Sequence, residues 1–438
     1  PFSLRLITLP FRLLFFAGIL AISLLSPHLL RAQTPTATPA GEPHLTLADL
    51  FRIANERNHE LLAQQRRIDA MKGRLRQSRL YPNPVVGAQS EEIPSHSLDA
   101  SEGKSSVSLG QPIVVGKRLR AAAAVENAEI ARAEAELEKM RWRLNRDIEK
   151  EYISILYNRD ALELQIEFIE VSRDLKNDVM KSAKNDLDAE RVELEIQDLR
   201  RMMLRCITQR AQGAARIGAL IGTSELDFQH LDGELERGLY GPQLGDSQDD
   251  IVRRHPEMIL ARKRIEAATK RLALARSERV PDVTLSGSVG YDGANDGGMI
   301  GVGVSVPIPI WDIKQGAIAE ATSMISAAEQ DEENTFLQLN SQLAESILAL
   351  NETDTLITDY EKNYSPTATS SWEKGLARNH AGSTDITETI DVFRTYVKVR
   401  QTELEYIRDF NYALSDIKYF EGYDSPKPTS TPPVSPPQ

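Results

Sequence analysis

The residues that could do chemistry in this chain are aspartates at two predicted turns. Asp186 and Asp188 follow one long helical stretch, and Asp385 and Asp391 follow a second stretch about 199 positions later, just after Gly382. Carboxylates around an opening attract cations, so we expect these residues to form an acidic, cation-favouring gate. The same carboxylates are also typical of helix N-caps and solvated turns, and the sequence leaves both interpretations open.

No catalytic motif accompanies these aspartates in the sequence. The seven histidines are scattered, with no HExxH pair and no paired Cys/His spacing, and there is no Walker A loop, GxSxG turn or GxGxxG turn opening a βαβ unit. The single cysteine, Cys206, lies inside a predicted helix and is interpreted as a small buried residue. The net charge of −12, without a basic stripe, argues against nucleic acid as a partner. We therefore expect no enzyme, no cofactor and no resident metal.

The elements that position the aspartates belong to an internal repeat. Shifting the chain by 197 residues places Pro112 on Pro309 and Lys117 on Lys314. Each copy then reads as a helix, two short alternating strands, a very long helix, a turn and another helix. A repeat of this size predicts two similar halves of one body and not a solenoid of short units. The four matched residues mark the predicted junctions between strand and helix.

Four predicted strands alternate with a period of two. The clearest runs from Ile300 to Ile310, with Ile and Val on one face and Gly, Ser and Pro on the other; the others span about 283–291, 106–113 and 85–90. An apolar face opposite small residues, over about nine to eleven positions, fits a tilted transmembrane strand, and a small soluble sandwich is the alternative. Four strands cannot close a barrel, and open edges cannot face hydrocarbon. We therefore expect three copies to pool about twelve strands.

The predicted helices are too long for a globular domain. No Pro or Gly occurs over about 117–183, which corresponds to on the order of 100 Å of helix. The second copy runs over about 314–364, breaks around Ser365-Pro366 and then continues as helix.

The first long helix carries two apolar seams. Each seam repeats every seven residues, and the second lies on the opposite side of the helix. Two seams predict a neighbour on each side, as in a layer of helices, whereas a solid bundle is the alternative. The first seam comprises Ile148, Ile155, Leu162 and Ile169, and the second Tyr157, Leu164 and Val171.

Composition divides the chain into six segments. A basic start and an apolar run predict a signal peptide, and the Pro-rich tail is predicted to be disordered. The segments are a signal peptide over 1–32, a Pro-rich linker over 33–44, the first repeat over 45–223, a linker over 224–248, the second repeat over 249–422 and the tail over 423–438.

Several motifs, taken in order, resemble the TolC-like outer membrane factors, or outer membrane efflux proteins. Leu45-Thr46-Leu47-Ala48-Asp49-Leu50 with Asn58-His59-Glu60-Leu61 looks like the family's opening, which more often has Pro where His59 stands. Gln111-Pro112 with Gly116-Lys117-Arg118, and Val306-Pro307-Ile308-Pro309-Ile310-Trp311, are similar to its strand-to-helix junctions. Leu220-Ile221-Gly222 is similar to the close of its first repeat, and Gly382 resembles its second turn glycine. The resemblance spans roughly residues 45 to 422.

The resemblance implies a mixed, mainly α fold with internal duplication. A long antiparallel helical coiled-coil tunnel would carry four transmembrane β-strands per chain, closing a barrel of about twelve strands in a homotrimer. It implies a passive duct in the outer membrane of a Gram-negative bacterium. The barrel would contact the outer membrane lipid, and the helices would form a large periplasmic part. Its partners would be a periplasmic adaptor protein and an inner-membrane pump, often a proton-driven one.

The cargo implied by the resemblance is a small solute. The Gly116-Lys117-Arg118 junction is most similar to that of the cobalt–zinc–cadmium branch of the family, which implies heavy-metal cations as the cargo. A duct for polypeptide secretion and a secreted structural coiled-coil assembly are the alternatives.

Overall fold

The first copy of the repeat forms four helices and two strands. The computed structural model describes residues 45–92, 103–181, 186–223, 231–237 and 247–422, apart from 382 and 384. The predicted signal peptide, the first linker and the tail lie outside these residues. The elements are α1 (Leu47–Arg57), α2 (His59–Ser78), β1 (Val85–Glu91), β2 (Lys104–Ile113), α3 (Arg118–Lys181) and α4 (Asp186–Ile221).

The second copy gives the same order of elements. Its long helix continues through a π-helical turn at Tyr360–Tyr364 into a further helix, where the first copy has α3 alone. The elements are α5 (Gln248–Arg254), α6 (Pro256–Ser277), β3 (Val283–Asp292), β4 (Gly297–Ser305), α7 (Gln315–Asp359), α8 (Ser365–His380) and α9 (Ile386–Glu421).

The duplication is visible in the backbone at matching positions. Asn58 caps α2 by accepting hydrogen bonds from the Glu60 and Leu61 N–H groups, and His255, 197 positions later, caps α6 through the Glu257 N–H group. Lys117 and Lys314, the residues before α3 and α7, have φ angles of 63° and 62°. Left-handed backbone is uncommon outside glycine, so its recurrence at both junctions marks one inherited turn.

Helix α3 has 64 residues, which correspond to about 96 Å. The predicted break in the second copy is instead a continuous helix. Pro366 stands in the first turn of α8, where its missing N–H group is tolerated. The π-helical turn directly before it shifts the hydrogen-bond ladder, so the axis continues without a loop.

The two seams of α3 contact different helices. A Cβ on Gly213 of α4 would lie 2.8 Å from Ile155 Cγ1, so these two helices approach closely on one side. On the other side, the guanidinium of Arg408 from α9 lies 4.6 Å from the centre of the Tyr157 ring. The predicted neighbour on each side of this helix is confirmed.

The four strands form one antiparallel sheet in the order β1-β2-β3-β4. The central pair, β2 and β3, joins the two copies of the repeat, with Val107 opposite Val289. The prediction of a strand through Ile310 was wrong for the last five residues, because β4 ends at Ser305. Pro307 and Pro309 have no N–H group to donate to a neighbouring strand, which interrupts the ladder.

Residues 231–237 of the predicted second linker cross the helices as a strap. Leu231 pairs with Leu45, and the Arg159 side chain donates to the Gly233 carbonyl at 2.7 Å. The Arg237 guanidinium contacts the Asp354 carboxylate of α7 at 2.5 Å and also reaches the π-helical turn at Glu361. The strap therefore ties α3 to the end of α7.

Within the described part of the chain, no helix is both long enough and apolar enough to cross a membrane.

Candidate functional sites: the sheet and the helical turns

One face of the sheet is an exposed apolar surface. The strand registers place Val107, Val289 and Ile300 in one row across three strands. Ile300 and Val302 are 86% and 89% exposed, so the chain itself does not cover them. Exposed apolar patches of this kind mark surfaces that contact another molecule or lipid. The exposed members of this face are Val86, Val107, Leu109, Leu285, Val289, Ile300, Val302 and Val304.

The opposite face carries small residues in contact with one another. A Cβ on Gly301 would lie 2.5 Å from Ser288 Oγ, and one on Gly303 would lie 2.7 Å from Ser286 Oγ. Glycine at these positions leaves room for the serine across the strand pair. The face is polar and closely packed, which suits the inside of a curved sheet and not a lipid contact.

The predicted strand-to-helix junctions lie at one end of this sheet. Pro112 lies in β2 opposite Thr284 of β3, beyond the last pair between β1 and β2, which is Val85 with Gly110. Its missing N–H group therefore breaks no hydrogen bond to β1. Pro309 lies in the exposed segment after β4. Lys314 is held by Asp312, whose carboxylate accepts from both the backbone N–H and the ammonium of this lysine at 2.9 Å.

The junctions of the two copies are also joined to each other. Arg118, the first residue of α3, donates to the Asp282 carboxylate at 2.5 Å, just before β3 begins. A Cβ on Gly116 would lie 2.8 Å from the Val280 Cβ, and Gly116 has a φ angle of +72°. Sequence reasoning named Arg118 as part of the junction motif but missed its partner Asp282, because a contact over 164 positions leaves no local signal.

The predicted turns at the far ends of the long helices lie together. Arg191 of α4 donates to Thr387 Oγ1 of α9 at 2.6 Å, and Arg394 of α9 pairs with Glu195 of α4. Gly382 and the side chain of Asp186 lie outside the described residues. The turns of the two copies are therefore neighbours, as the repeat requires.

The three aspartates whose side chains are described differ in their surroundings. Asp188 is mostly buried and lies 3.7 Å from Arg191, and Asp391 lies 3.5 Å from Arg394. Asp385 is exposed at the start of α9, and its side chain makes no cap hydrogen bond. These positions make Asp385 the most available of the three carboxylates to a mobile cation.

An open concavity on α9 brings the acidic residues of this turn together. Asp385, Glu388 and Asp391 line it with Thr387 and Thr395. Glu388 was missed by sequence reasoning, although it lies one helical turn from both aspartates. Oxygen donors spread along an open surface attract cations without enclosing them.

Basic residues pair with carboxylates near this concavity. The Lys176 ammonium of α3 donates to the Glu193 carboxylate of α4 at 2.8 Å, which holds the pKa of that carboxyl below its ordinary value. The His380 imidazole lies 3.3 Å from the Asp178 carboxylate. The turns therefore form a network of mixed charge with exposed carboxylates at the surface of α9.

No group of three or more His, Cys, Asp or Glu side chains in the described residues could hold a metal ion. Cys206 is half-buried, and burial raises the pKa of its thiol. A protonated thiol is a poor nucleophile and a poor metal ligand.

A curated relative and several solved structures are similar to this chain. The cobalt-zinc-cadmium resistance protein CzcC of Cupriavidus metallidurans is 22% identical over 403 residues, which cover 89% of this chain and 94% of that protein. The outer-membrane channel OprN superposes with a TM-score of 0.74 at 16% identity, covering 86% of this chain and 89% of that chain. CusC superposes with a TM-score of 0.71 at 14% identity, covering 86% and 92% respectively.

A family model also matches part of the chain. Residues 249–417 match the model described as outer membrane efflux protein. The chain is therefore similar to the outer membrane efflux proteins over most of its second repeat. The predicted fold class is confirmed, since the chain shares the fold of solved outer-membrane channels that combine long helices with a small antiparallel sheet.

Two predictions made from sequence, an outer-membrane location and the role of a channel and not of an enzyme, agree with these comparisons. The matched family is described as outer membrane efflux protein, and the matched structures are outer-membrane channels.

Proposed function

We propose that this chain is an outer membrane efflux protein, the passive exit duct of a tripartite system that exports small solutes, in particular heavy-metal cations. The observation that carries the proposal is the bare apolar face of the sheet, with Ile300 and Val302 almost fully exposed. Such a face is stable only against lipid or another protein. The tightly packed Gly and Ser face would then line the duct.

The homotrimer follows from the two edges of the sheet. β1 and β4 have no partner strand on their outer sides within the described residues. In hydrocarbon, each unpaired backbone group costs several kcal/mol. Three copies with four strands each would close a barrel of about twelve strands and remove every edge.

The strand lengths are suitable for crossing an outer membrane. β2 and β3 each have 10 residues. At about 3.4 Å per residue and a tilt of about 40°, they would cover roughly 25 Å, the height of the apolar band of such barrels. The polar turn after Asp292 would then lie at the outer surface.

Heavy-metal cargo is supported by two features. The first is the similarity to CzcC, whose name describes cobalt, zinc and cadmium resistance. The second is the open acidic concavity around Asp385, Glu388 and Asp391, which would attract cations at the periplasmic tip. Asp186, Asp188 and Gly382 would complete that tip, and release of the cargo requires weak sites of this open type.

Partners and processing complete the proposal. The tips would dock on a periplasmic adaptor, and the pump would be proton-driven. Residues 1–32 would act as a signal peptide, followed by a linker over 33–44. The repeats would span 45–223 and 249–422, with a linker over 224–248 and a solvated tail over 423–438.

The test is fractionation of cells that express the full chain, followed by detergent extraction and mass determination. We expect outer-membrane material that needs detergent and has the mass of a trimer. A species that is soluble without detergent would refute the lipid-facing sheet.

The cargo is tested by growth in zinc, cobalt or cadmium salts. A strain lacking its own metal-efflux duct receives this chain together with the cognate pump and adaptor. Improved growth in metal, and unchanged growth with organic toxicants, is the expected outcome. Protection against organic toxicants alone would replace the metal cargo with organic solutes.

A further inference from the structure

The segments that join the helices to the strands are basic, although the chain as a whole has a net charge of −12. The segment over 70–84, which joins α2 to β1, holds four Lys and Arg residues and no Asp or Glu. The segment over 113–125, which joins β2 to α3, holds three and again no acidic residue. The charge of the chain is therefore locally reversed beside the strands.

These segments lie together at one end of the sheet. The Gln111 side chain, near the end of β2, donates to the Pro82 carbonyl before β1 at 3.0 Å. The contact of Arg118 with Asp282 brings the start of α3 to the start of β3 in the same way. The basic residues of the three connections are thus at one level of the molecule.

The duplication separates paired from unpaired arginines on α2 and α6. Arg74 and Arg271 are related by the 197-residue offset, and each pairs with a glutamate of α3, at 3.5 and 2.7 Å. Five residues later, Arg79 and Arg276 are related by the same offset, and both are exposed. Neither has a carboxylate partner among the described residues. Both copies therefore leave positive charge free at the level next to the strands.

Six basic residues at this level share these properties, and we call them the basic collar. Each is exposed, and its side chain forms no ion pair or hydrogen bond with another residue in the described part of the chain. The members are Arg76, Arg79, Lys117, Arg120, Arg276 and Arg279.

Helix dipoles do not account for the collar. Arg76 and Arg276 lie in the last turns of α2 and α6, where the negative end of the helix dipole favours cations. Helix α3 begins at Arg118 with no acidic residue in its first turn, and there the dipole disfavours Lys117 and Arg120. Opposite helix ends carry the same charge, so the feature they share is their position beside the sheet.

Exposed aromatic residues lie at the same end of the sheet. Tyr81 is 64% exposed, and Trp311 is 86% exposed. Aromatic and basic side chains side by side, next to an apolar surface, are typical of the boundary between lipid and water. Inside a duct for cations, fixed positive charge would oppose the cargo. The collar therefore fits the lipid side of the wall.

The turns at the other end of the sheet have the opposite charge. Lys104 is the one cation among their described residues, and its ammonium donates to the Glu92 carboxylate at 2.7 Å. The carboxylates there are those of Glu91, Glu92, Asp292 and Asp296. Only the helical end of the sheet can thus attract the phosphate groups of lipids.

We propose that the basic collar binds the phosphate groups of anionic phospholipids in the leaflet next to the helices. A guanidinium group can donate two parallel N–H bonds to phosphate oxygens, and its exposed position leaves those donors available. The proposal rests on the proposed duct and adds the lipid class that would hold the barrel at a fixed depth.

The experiment measures which phospholipid the full chain retains in an uncharged detergent. The particle is titrated with phosphatidylglycerol or with phosphatidylcholine of the same acyl chains, and bound lipid is counted. We expect preferential retention of phosphatidylglycerol, which is lost at about 1 M salt because the charges are then screened. Equal retention of the two lipids by a particle of trimer mass would overturn the collar and leave the duct standing. A particle that is soluble without detergent would overturn both.

Inorganic phosphate separates a lipid site from a site for free anions. We expect phosphate at the concentration of the lipid to leave the retained phosphatidylglycerol unchanged, because free phosphate lacks the acyl chains that lie against the sheet. Complete displacement by phosphate would replace the lipid with a small anion and overturn the proposal.

Two double variants with the same change in charge provide the control. Arg79→Gln with Arg276→Gln removes two members of the collar. Arg173→Gln with Lys374→Gln removes two exposed cations near the far ends of the long helices. We expect the first pair to weaken phosphatidylglycerol binding by roughly fivefold for each arginine, and the second pair to have no effect.

Two outcomes of this comparison would contradict the collar. Equal weakening by both double variants would show attraction to the net charge and not to a site. Unchanged lipid binding in Arg79→Gln with Arg276→Gln, together with a raised cation-over-anion permeability ratio, would place these arginines inside the duct.

Discussion

A charge placed on the apolar face of the sheet tests directly whether that face contacts lipid. Val302 lies near the middle of β4 and is 89% exposed in the chain, so Val302→Lys removes almost no contact within one copy. In a soluble sheet this substitution would be nearly neutral. At the midplane of a bilayer, a lysine on the lipid face of a barrel costs about 2–4 kcal/mol.

That cost sets the expected magnitude. For each chain it corresponds to a decrease in the equilibrium for membrane assembly of between roughly 30-fold and 1,000-fold. Three copies carry the same substitution, so we expect the trimer to be almost absent from the outer membrane. The assay is the fraction of extracted chain that has trimer mass, measured against the wild type at equal expression.

Gln89→Lys provides the matched control. Gln89 lies on the opposite face of the sheet, between Ala88 and Ser90, and is already polar and exposed. A lysine there would face the water-filled interior, so we expect normal assembly. Assembly of Val302→Lys at the wild-type level, with Gln89→Lys also normal, would refute the lipid contact and with it the proposed barrel.

Three further predictions concern the helices, the turns and the junctions. Burial lowers the pKa of His255 to about 4, so its neutral form stabilises the fold above pH about 6.5 and that contribution is lost as the pH falls toward 4. His255→Asn keeps a capping side chain and should reduce the fall in the free energy of unfolding between about pH 7 and pH 4 by about 3 kcal/mol. An unchanged fall, measured by chemical denaturation at the two pH values, would contradict this. Asp385→Asn in reconstituted channels should lower the cation-over-anion permeability ratio more than Asp391→Asn does, because the Asp391 carboxylate is already paired with Arg394. Equal reversal potentials in the two variants would remove Asp385 from the gate. Gly73→Ala, in an open part of α2, should raise the free energy of unfolding by about 0.5–1 kcal/mol. Gly116→Ala should lower it by about 1–3 kcal/mol, because Gly116 has a positive φ angle and lies close to Val280. Thermal midpoints that move in the same direction in both variants would contradict this reasoning.

The acidic turns show which features of a candidate site can be predicted from a single sequence. The spacing of the repeat correctly predicted that the two turns lie together, since Arg191 contacts Thr387. It could not predict that Arg394 pairs with Glu195, which depends on the relative rotation of two helices. The role of Asp186, Asp188, Gly382, Asp385 and Asp391 in a gate stays a prediction.

The sequence by itself determined the local structure of this protein. The period of two, the long stretches without Pro or Gly and the helix caps act within a few residues, so strands, helices and both junctions at Lys117 and Lys314 could be predicted. The 197-residue offset added the duplication, because equal sequences fold into equal elements. Local patterns also suggested a strand through Ile310, since alternation of apolar residues does not reveal whether a partner strand is present.

Only the tertiary structure decided which elements meet. The pairing of β2 with β3 across the two copies, the contact of Arg118 with Asp282 and the strap that ends at Arg237 join residues more than 100 positions apart. Such contacts depend on how rigid helices and strands are oriented, and no short-range pattern records that orientation. The end of β4 was also visible only in the tertiary structure, since Thr284 and Ser305 are the last residues that pair between β3 and β4.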